Sequence, residues 1–369
     1  MTDVRVERLA RLIVDYSVGI KPGDQVVLRA SPDAAPLILE LYREAIGRGA
    51  HVLPMIDMPG LRPILLKEGN DEQLQYLSPI AKRVIDTFDV QLSIYSQSNT
   101  REMSGVDPAR QAMASLASRP IMQSFMERSA SGALRWNVTL FPTNAYAQDA
   151  DMSLADYEDF VYAACLVDEG DAAERWKALR DHQQKLIDWL QDKSEIHLTG
   201  PDTDLRVGIK GRTWVNCHGD KNMPDGEIFT GPEETRVSGT VRFTFPAVHQ
   251  GREVSDVRLW FEDGVVVKWL AAKNEAYLER MLHTDDGARR LGEFAFGCNF
   301  GIQRFTRNIL FDEKIGGTVH MALGAGYPET GSENESAIHW DMICDLRSGA
   351  EVRVDGELFA REGKYVLWD

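Results

Sequence analysis

QVVLRASPDAAPLILELYREAIGRGAHVLPMI, residues 25–56, is the stretch on which the fold turns. Its opening QVVLRA is a short apolar run between the turn-forming Lys21-Pro22-Gly23-Asp24 and the polar Ser31-Pro32-Asp33, the pattern of a buried strand. From Ala34 to Ile46 the apolar residues recur at helical spacing until Gly47 and Gly49 stop them. HVLPMI at 51–56 is strand-like again. Strand, helix and strand in succession form a βαβ unit, which predicts a parallel sheet. Dinucleotide-binding domains begin in the same way, but the loop SPDAAP after the first strand has no glycine. Without G-x-G-x-x-G there is no amide-lined turn for a pyrophosphate, and nucleotide binding is rejected for this unit.

On the N-terminal side, Leu9, Leu12, Ile13 and Tyr16 recur at helical spacing up to Gly19 and predict a first helix. On the C-terminal side, VQLSIYS (90–96) and RWNVTLFPT (135–143) are further strands, separated by a helical stretch over 108–128. Residues 1–150 are therefore expected to form an α/β domain with a mainly parallel sheet. From Leu154 to Leu190 the pattern is helical, with Trp176, Leu179, Leu186, Ile187 and Leu190 on one face, so residues 151–192 are expected to form a helical connector. The texture then becomes β-rich. LRVGIKGRTWV (205–215), VRLWFEDGVVVKW (257–269) and VRVDGELFA (352–360) each hold two alternating runs around a glycine-bearing turn, and Asp263-Gly264 and Asp355-Gly356 are hairpin signals. One more helix is expected over Asn274 to His283. The fold class expected is α/β: an N-terminal α/β domain followed by a β-rich α+β catalytic domain over 193–369.

A length of 369 residues fits two cores. The chain carries 57 acidic and 41 basic residues, a net charge of −16, which repels polyphosphate backbones and argues against nucleic acid as a partner. Its four cysteines, Cys165, Cys217, Cys298 and Cys344, form no CxxC pair, so buried thiols in a reducing compartment are expected rather than a thiolate zinc site. The N-terminus has no signal-peptide core and no run reaches membrane-spanning length, which predicts a soluble cytoplasmic protein without a membrane partner.

Chemistry concentrates between Glu293 and Asp341, in GEFAFG, DEKIGGTVHMALGAGY (312–327) and AIHWDM (337–342). Carboxylates and imidazoles together suit zinc, cobalt, manganese or iron(II) rather than calcium. On a strand, His339 and Asp341 point to the same face and can grip one ion. His218 and Asp220 repeat that spacing, so the pair alone is weak evidence. His320 and Tyr327 flank the glycines of LGAG; the turn is expected to bring Tyr327 back near the histidine, where its phenol can hydrogen-bond a developing oxyanion. Taken alone, a core histidine and a packing tyrosine explain the same residues more often. Glu227 follows a Pro-Asp-Gly turn in MPDGEIFTGP, and Glu293 lies in an apolar stretch where an unpaired carboxylate is costly to bury. The sequence holds no HExxH, GxSxG or Walker loop, which leaves a hydrolytic metal site as the leading chemistry.

Taken jointly, the segments resemble the metallo-aminopeptidases of the aminopeptidase T and aminopeptidase S type over nearly the whole chain. The likeness runs through LARLIVDYS with KPGDQVVL, PTNAYAQDADMSLADYEDF (142–160), MPDGEIFTGP, GEFAFG, DEKIGGTVHMALGAGY and the His-x-Asp segment. The resemblance implies two divalent ions, zinc, cobalt or manganese, in the C-terminal domain, and hydrolysis of the N-terminal residue from peptides with a free amine. It puts Glu227, Glu293, His320, His339 and Asp341 at ligand positions, Glu313 as a further acidic ligand, and Tyr327 at the active-site tyrosine. It also implies a homodimer, and leaves His218, His249 and His283 as structural or surface residues. Glu227 or Glu293 bridges the ions or shuttles the proton. Glu293 ranks first as the bridge because its apolar setting most needs two positive neighbours.

Two other readings compete. Ring-cleaving dihydroxypyridine dioxygenases resemble this family in fold but hold one iron(II) with a His, His, Asp triad, which His320, His339 and Asp341 would satisfy; Glu227 and Glu293 are superfluous for a single iron. The third reading is a non-catalytic metal- or peptide-binding module.

Overall fold

The structure, a computed structural model, describes residues 3–249 and 251–368. Its contacts divide the chain into two compact units, Met1–Ala173 with Gly219–Pro224, and Glu174–His218 with Asp225–Asp369.

In the first unit the strands Gln25–Ala30, His51–Ile56, Val90–Tyr95 and Arg135–Leu140 form where the sequence predicts them, and all pair in parallel. Their spatial order is second, first, third, fourth. Val26, Val27 and Leu28 are completely buried, as a strand covered on both faces requires. The helix Ala35–Gly47 supplies the predicted crossover and ends before Gly49, whose positive φ of 80° turns the chain into the second strand. Asp3 caps the first helix, Val4–Leu12, which continues as one wider turn over Ile13–Ser17. The helix expected over 108–128 is two helices, Pro108–Ala117 and Arg119–Ala130. Pro120 lacks the N–H that would bond Leu116, so the chain breaks at Ser118 and the proline settles in the first turn of the new helix. Three further helices, Leu61–Glu68, Asp71–Gln75 and Pro79–Thr87, lie between the second and third strands. The sheet gains a fifth strand from the distant Asn222–Met223, which pairs in parallel with Arg135–Leu140.

The division falls differently from the expected connector over 151–192. Helix Leu154–Ala164 belongs to the first unit. The helix Ala172–Leu190 lies almost wholly in the second, because Leu186, Ile187 and Leu190 join that unit's apolar core.

The second unit is built on two large sheets, with a two-stranded ribbon of Ala247–His249 and Arg252–Val254 besides. One has eight strands and contains both predicted hairpins, Val257–Glu262 with Val265–Leu270 and Glu351–Val354 with Glu357–Arg361. Asp263-Gly264 and Asp355-Gly356 all have positive φ, the requirement of a two-residue turn that matches strand twist. The other has five antiparallel strands, in the order His339–Asp345, Thr318–Gly324, Leu291–Gly297, Glu227–Thr230, Val215–Cys217. The two runs of 205–215 do not pair with each other: Thr203–Gly208 joins the eight-stranded sheet and Val215–Cys217 the five-stranded one. Phe296 and Phe359, one from each sheet, meet with ring centroids 4.9 Å apart in the shared core. The expected helix near 274–283 is Glu275–Leu282. The fold class is thus α/β, with a parallel-sheet first part and a β-rich second part. No helix among the described residues is long and apolar enough to cross a membrane. All four cysteines are free thiols; Cys165, Cys298 and Cys344 are buried and Cys217 is half-buried.

Candidate metal centre

The five-stranded sheet sorts its residues by alternation. Phe294, Phe296, Val319, Met321, Leu323, Trp340 and Met342 belong to the apolar core. The residues between them face the other way, and these include Glu293, His320, His339 and Asp341. Register brings them together: Ala322 lies between Glu293 and Asp341, Ala295 lies opposite His320, Gly324 opposite His339, and Gly297 opposite Glu227. Each large polar residue thus has a small residue opposite it on at least one neighbouring strand, leaving a face on which the polar groups can converge.

Their ligand atoms do converge. His320 Nε2 is 3.2 Å from Glu293 Oε1 and 3.4 Å from Glu227 Oε2. His339 Nε2 is 3.3 Å from Glu293 Oε2 and 3.6 Å from Asp341 Oδ1. Three overlapping groups each hold their ligand atoms within 4.8 Å of one another: Glu227, Glu293 and His320; Glu293, His339 and Asp341; and Glu313, His320 and Asp341. Every candidate ligand from the sequence therefore takes part in one cluster. Glu293 belongs to two of these groups, with one carboxylate oxygen toward each imidazole.

Local structure explains how the outlying members arrive. Glu227 opens its strand directly after Gly226, whose φ of 112° excludes other residues, and a Cβ there would lie 2.7 Å from the Asn299 side chain. The buried Gln183 amide donates to the carbonyls of Cys217 and Glu227 at 2.9 and 3.0 Å, fixing the start of that strand. Glu313 follows the short helix Ile309–Asp312, which is capped by Asn308. Burial pushes the Asp312 carboxyl up to about 7, while bonds from the Thr306 amide and hydroxyl hold it in place.

Tyr327 enters from the loop after the Thr318–Gly324 strand, and its ring neighbours are His339, edge-on at 5.3 Å, and Phe229 at 5.2 Å. The loop brings Tyr327 onto His339, because the strand pairing puts His339 opposite Gly324, where the loop departs. Its hydroxyl has no hydrogen-bond partner among the described residues. Burial first, and then the surrounding carboxylates, push its phenol well above the usual range, so it stays protonated and able to donate.

The electrostatics of the cluster are those of crowded carboxylates. Burial raises Glu227 well above the carboxylate range, against the pull of Lys314. Burial would also raise Glu293, but hydrogen bonds with His320 and His339 outweigh it and hold that carboxyl below its ordinary value. Burial opposes charge on both imidazoles; the facing carboxylates overcome it and raise His320 and His339. Glu227 Oε2 is buried without a hydrogen-bond donor. An oxygen-rich cluster with an orphaned buried carboxylate oxygen is the environment a divalent cation satisfies, and the mixture of carboxylate and imidazole fits a transition metal.

Three residues stand in the cluster unannounced by the sequence. Lys314 is completely buried, with Nζ 3.7 Å from Glu227 Oε1 and in contact with Glu313. Cys217 and Asp225 form a further group with Glu227. The signal for Asp225 was its place in PDGE beside a ligand; DEK gave none for the lysine, since a lysine after two acids reads as surface. The other histidines lie outside these groups. His249 Nδ1 is 2.8 Å from the Tyr277 hydroxyl, and His283 Nδ1 is 2.7 Å from the Glu279 carbonyl. Neither His218 nor Asp220 belongs to any such group among the described residues.

A buried carboxylate and imidazole cluster on an antiparallel sheet, in a chain that opens with a parallel α/β unit lacking a phosphate loop, defines a metal-dependent enzyme. The family model described as thermophilic metalloprotease (M29) matches residues 2–365, and the chain belongs to that family. It is accordingly a hydrolase that uses divalent metal. Aminopeptidase 2 of Geobacillus stearothermophilus is 28% identical over 403 aligned residues, covering 97% of this chain and 95% of the relative. Aminopeptidase T of Thermus aquaticus is 27% identical, with 98% of each chain covered. Among solved structures, wild-type AmpT from Thermus thermophilus superposes with a TM-score of 0.85 at 25% identity, covering 98% of this chain and 99% of its own. A 2,5-dihydroxypyridine dioxygenase from Pseudomonas putida KT2440 shares the fold, with a TM-score of 0.59 at 13% identity and 98% and 96% coverage.

Proposed function

We infer that this chain is a metal-dependent aminopeptidase, an exopeptidase of the hydrolase class, and that it works with two divalent ions held by Glu227, Glu293, Glu313, His320, His339 and Asp341. The observation that carries the two-ion reading is the position of Glu293, whose oxygens lie 3.2 and 3.3 Å from two different imidazoles. A carboxylate so placed bridges two ligand groups, one completed by Glu227 and His320, the other by His339 and Asp341. When bound, the ions supply Lewis-acid polarisation of the scissile carbonyl and a water that ionises near neutral pH.

The remaining roles belong to the chain's own side chains. Tyr327, with its hydroxyl unengaged and its phenol protonated, donates a hydrogen bond to the oxygen that becomes negative in the tetrahedral state. The carboxylates give the pocket a negative field that receives the free N-terminal amine of a peptide, which restricts cleavage to the chain end. Zinc, cobalt and manganese all suit the donor set. A cytoplasmic homodimer is the accompanying expectation.

The single-iron reading needs His320, His339 and Asp341 as one group. The two histidines fall in different ligand groups, with Glu293 in a group with each, which favours the two-ion hydrolase. The test is metal analysis paired with leucyl-peptide hydrolysis. Two ions per chain, inhibition by chelators, recovery with zinc, cobalt or manganese, and inertness of N-acetylated peptides are expected. One iron per chain with oxygen-dependent turnover would overturn the reading.

A further inference from the structure

Lys314 is a lysine with no exposed surface, and nothing in the mechanism above uses it. A buried ammonium is expensive unless carboxylates surround it. Here they do: Nζ contacts Glu313 Oε1, lies 3.7 Å from Glu227 Oε1, and feels the charge of Asp225. Its backbone is fixed at both ends, its amide donating to the Phe311 carbonyl at 3.1 Å and its carbonyl accepting from the Asn299 amide at 3.1 Å. The side chain thus starts from an anchored backbone and is closed off from solvent.

The two oxygens of Glu227 consequently face different neighbours. Oε1 is turned toward the ammonium, and Oε2 lies 3.4 Å from His320 Nε2 without a hydrogen-bond donor. Glu293 differs, since both of its oxygens face imidazoles. The same ammonium also takes Glu313 Oε1, so one cation fixes the two acidic ligands that do not come from the middle of a strand.

We propose that Lys314 is a positioning residue that holds Glu227 by Oε1 and so presents Oε2 alone to the metal position shared with His320. Without the ammonium the Glu227 side chain loses the contact that fixes its orientation, and the ion on the His320 side loses a pre-aimed ligand. The group formed by Glu293, His339 and Asp341 does not touch Lys314 and keeps its ion. This rests on the two-ion reading.

Cobalt(II) is the probe, because its visible d–d absorption reports the ligand set independently of catalysis. Wild type, Lys314→Met, Lys314→Gln, Glu227→Gln and the double variant Lys314→Met with Glu227→Gln are titrated with cobalt against a competing chelator, and folding is checked by circular dichroism. Lys314→Met is expected to weaken one of the two cobalt ions by about 10–100-fold, the usual effect of losing a group that orients a ligand, and to change the d–d spectrum. Lys314→Gln, which can still donate to a carboxylate, is expected to recover part of the affinity; it also carries the test if the methionine variant does not fold. Adding Lys314→Met to Glu227→Gln should cost clearly less than the same change costs in the wild-type protein, because the lysine acts in part through that glutamate, and what remains passes through Glu313. Wild-type affinity and spectrum in both single lysine variants, with Glu227→Gln impaired, would overturn the inference alone. If Glu227→Gln itself binds two cobalt ions as wild type does, the ligand reading fails and takes the inference with it.

Discussion

The parallel sheet of the first unit and the five-stranded sheet of the second treat charge in opposite ways. In the parallel sheet the buried positions Val26, Val27 and Leu28 are apolar and charges stand singly, Arg29 half-buried within the first strand and Arg135 at a strand start, part-exposed and paired with Asp24 at 2.7 Å. In the five-stranded sheet every residue of Leu291–Gly297 and Thr318–Gly324 is buried, yet these strands carry Glu293 and His320. The first sheet has the architecture that binds dinucleotides at its strand ends, but its first loop lacks the glycines for it. The second is an ordinary antiparallel sheet with one face that carries the candidate ligands. A parallel sheet therefore does not by itself mark the functional half of a chain; several buried carboxylates and imidazoles converging from neighbouring strands do, because such a cluster persists only with a partner for its charge.

That contrast can be broken most sharply by paired substitutions. Glu293→Ala should reduce kcat/KM on the order of 10³-fold, equivalent to about 4 kcal/mol, and lower the bound metal measured by elemental analysis. Leu28→Ala, in the first unit, should cost about 2–5 kcal/mol of stability in denaturant titration while leaving the metal content of the folded protein unchanged. If Leu28→Ala strips metal, or Glu293→Ala keeps it, the separation of roles is wrong.

A smaller effect sharpens the chemistry within the second unit. Tyr327→Phe removes one donor to the developing oxyanion and should lower kcat by about 10²-fold, with little change in KM or metal content. A change in KM alone would recast Tyr327 as a wall of the substrate pocket.

The smallest effect concerns pH. Glu227 has a folded-state pKa raised above its unfolded value of 4.5, so the unfolded chain binds fewer protons above that pH and stability falls as pH rises toward the folded value of about 8. The raised imidazoles act in the same direction, their contribution being present below 6.5 and lost as pH climbs through their folded values. Chelator-treated protein should therefore lose thermal stability between pH 5 and pH 8, whereas metal-loaded protein, with cations in place of the protons, should not. Equal slopes in the two forms would remove the ligands from the titration.

Much of the frame was legible because its signals are local. The four parallel strands follow from apolar runs bounded by turns, and the Asp-Gly hairpins follow from the positive φ that such turns need. The break at Ser118 was legible in principle, since Pro120 interrupts the helical run. The fate of 205–215 was not: both runs alternate correctly, but alternation says nothing of which sheet a strand joins. The same holds for Asn222–Met223, two residues that become a strand of the parallel sheet only through partners about 85 residues away in sequence.

The centre divides along the same line. The sequence by itself determined the donor types, their place in apolar stretches, and the shared face of His339 and Asp341, because residue chemistry and a period of two are properties of the chain alone. Tertiary structure decided that Glu293 stands between two imidazoles, that Tyr327 packs on His339, and that Lys314 is buried against Glu227 and Glu313. These are facts of strand register and loop closure, which join residues dozens of positions apart, and burial, the quantity that sets a surface-looking lysine against the candidate metal centre, exists only once the sheets have packed.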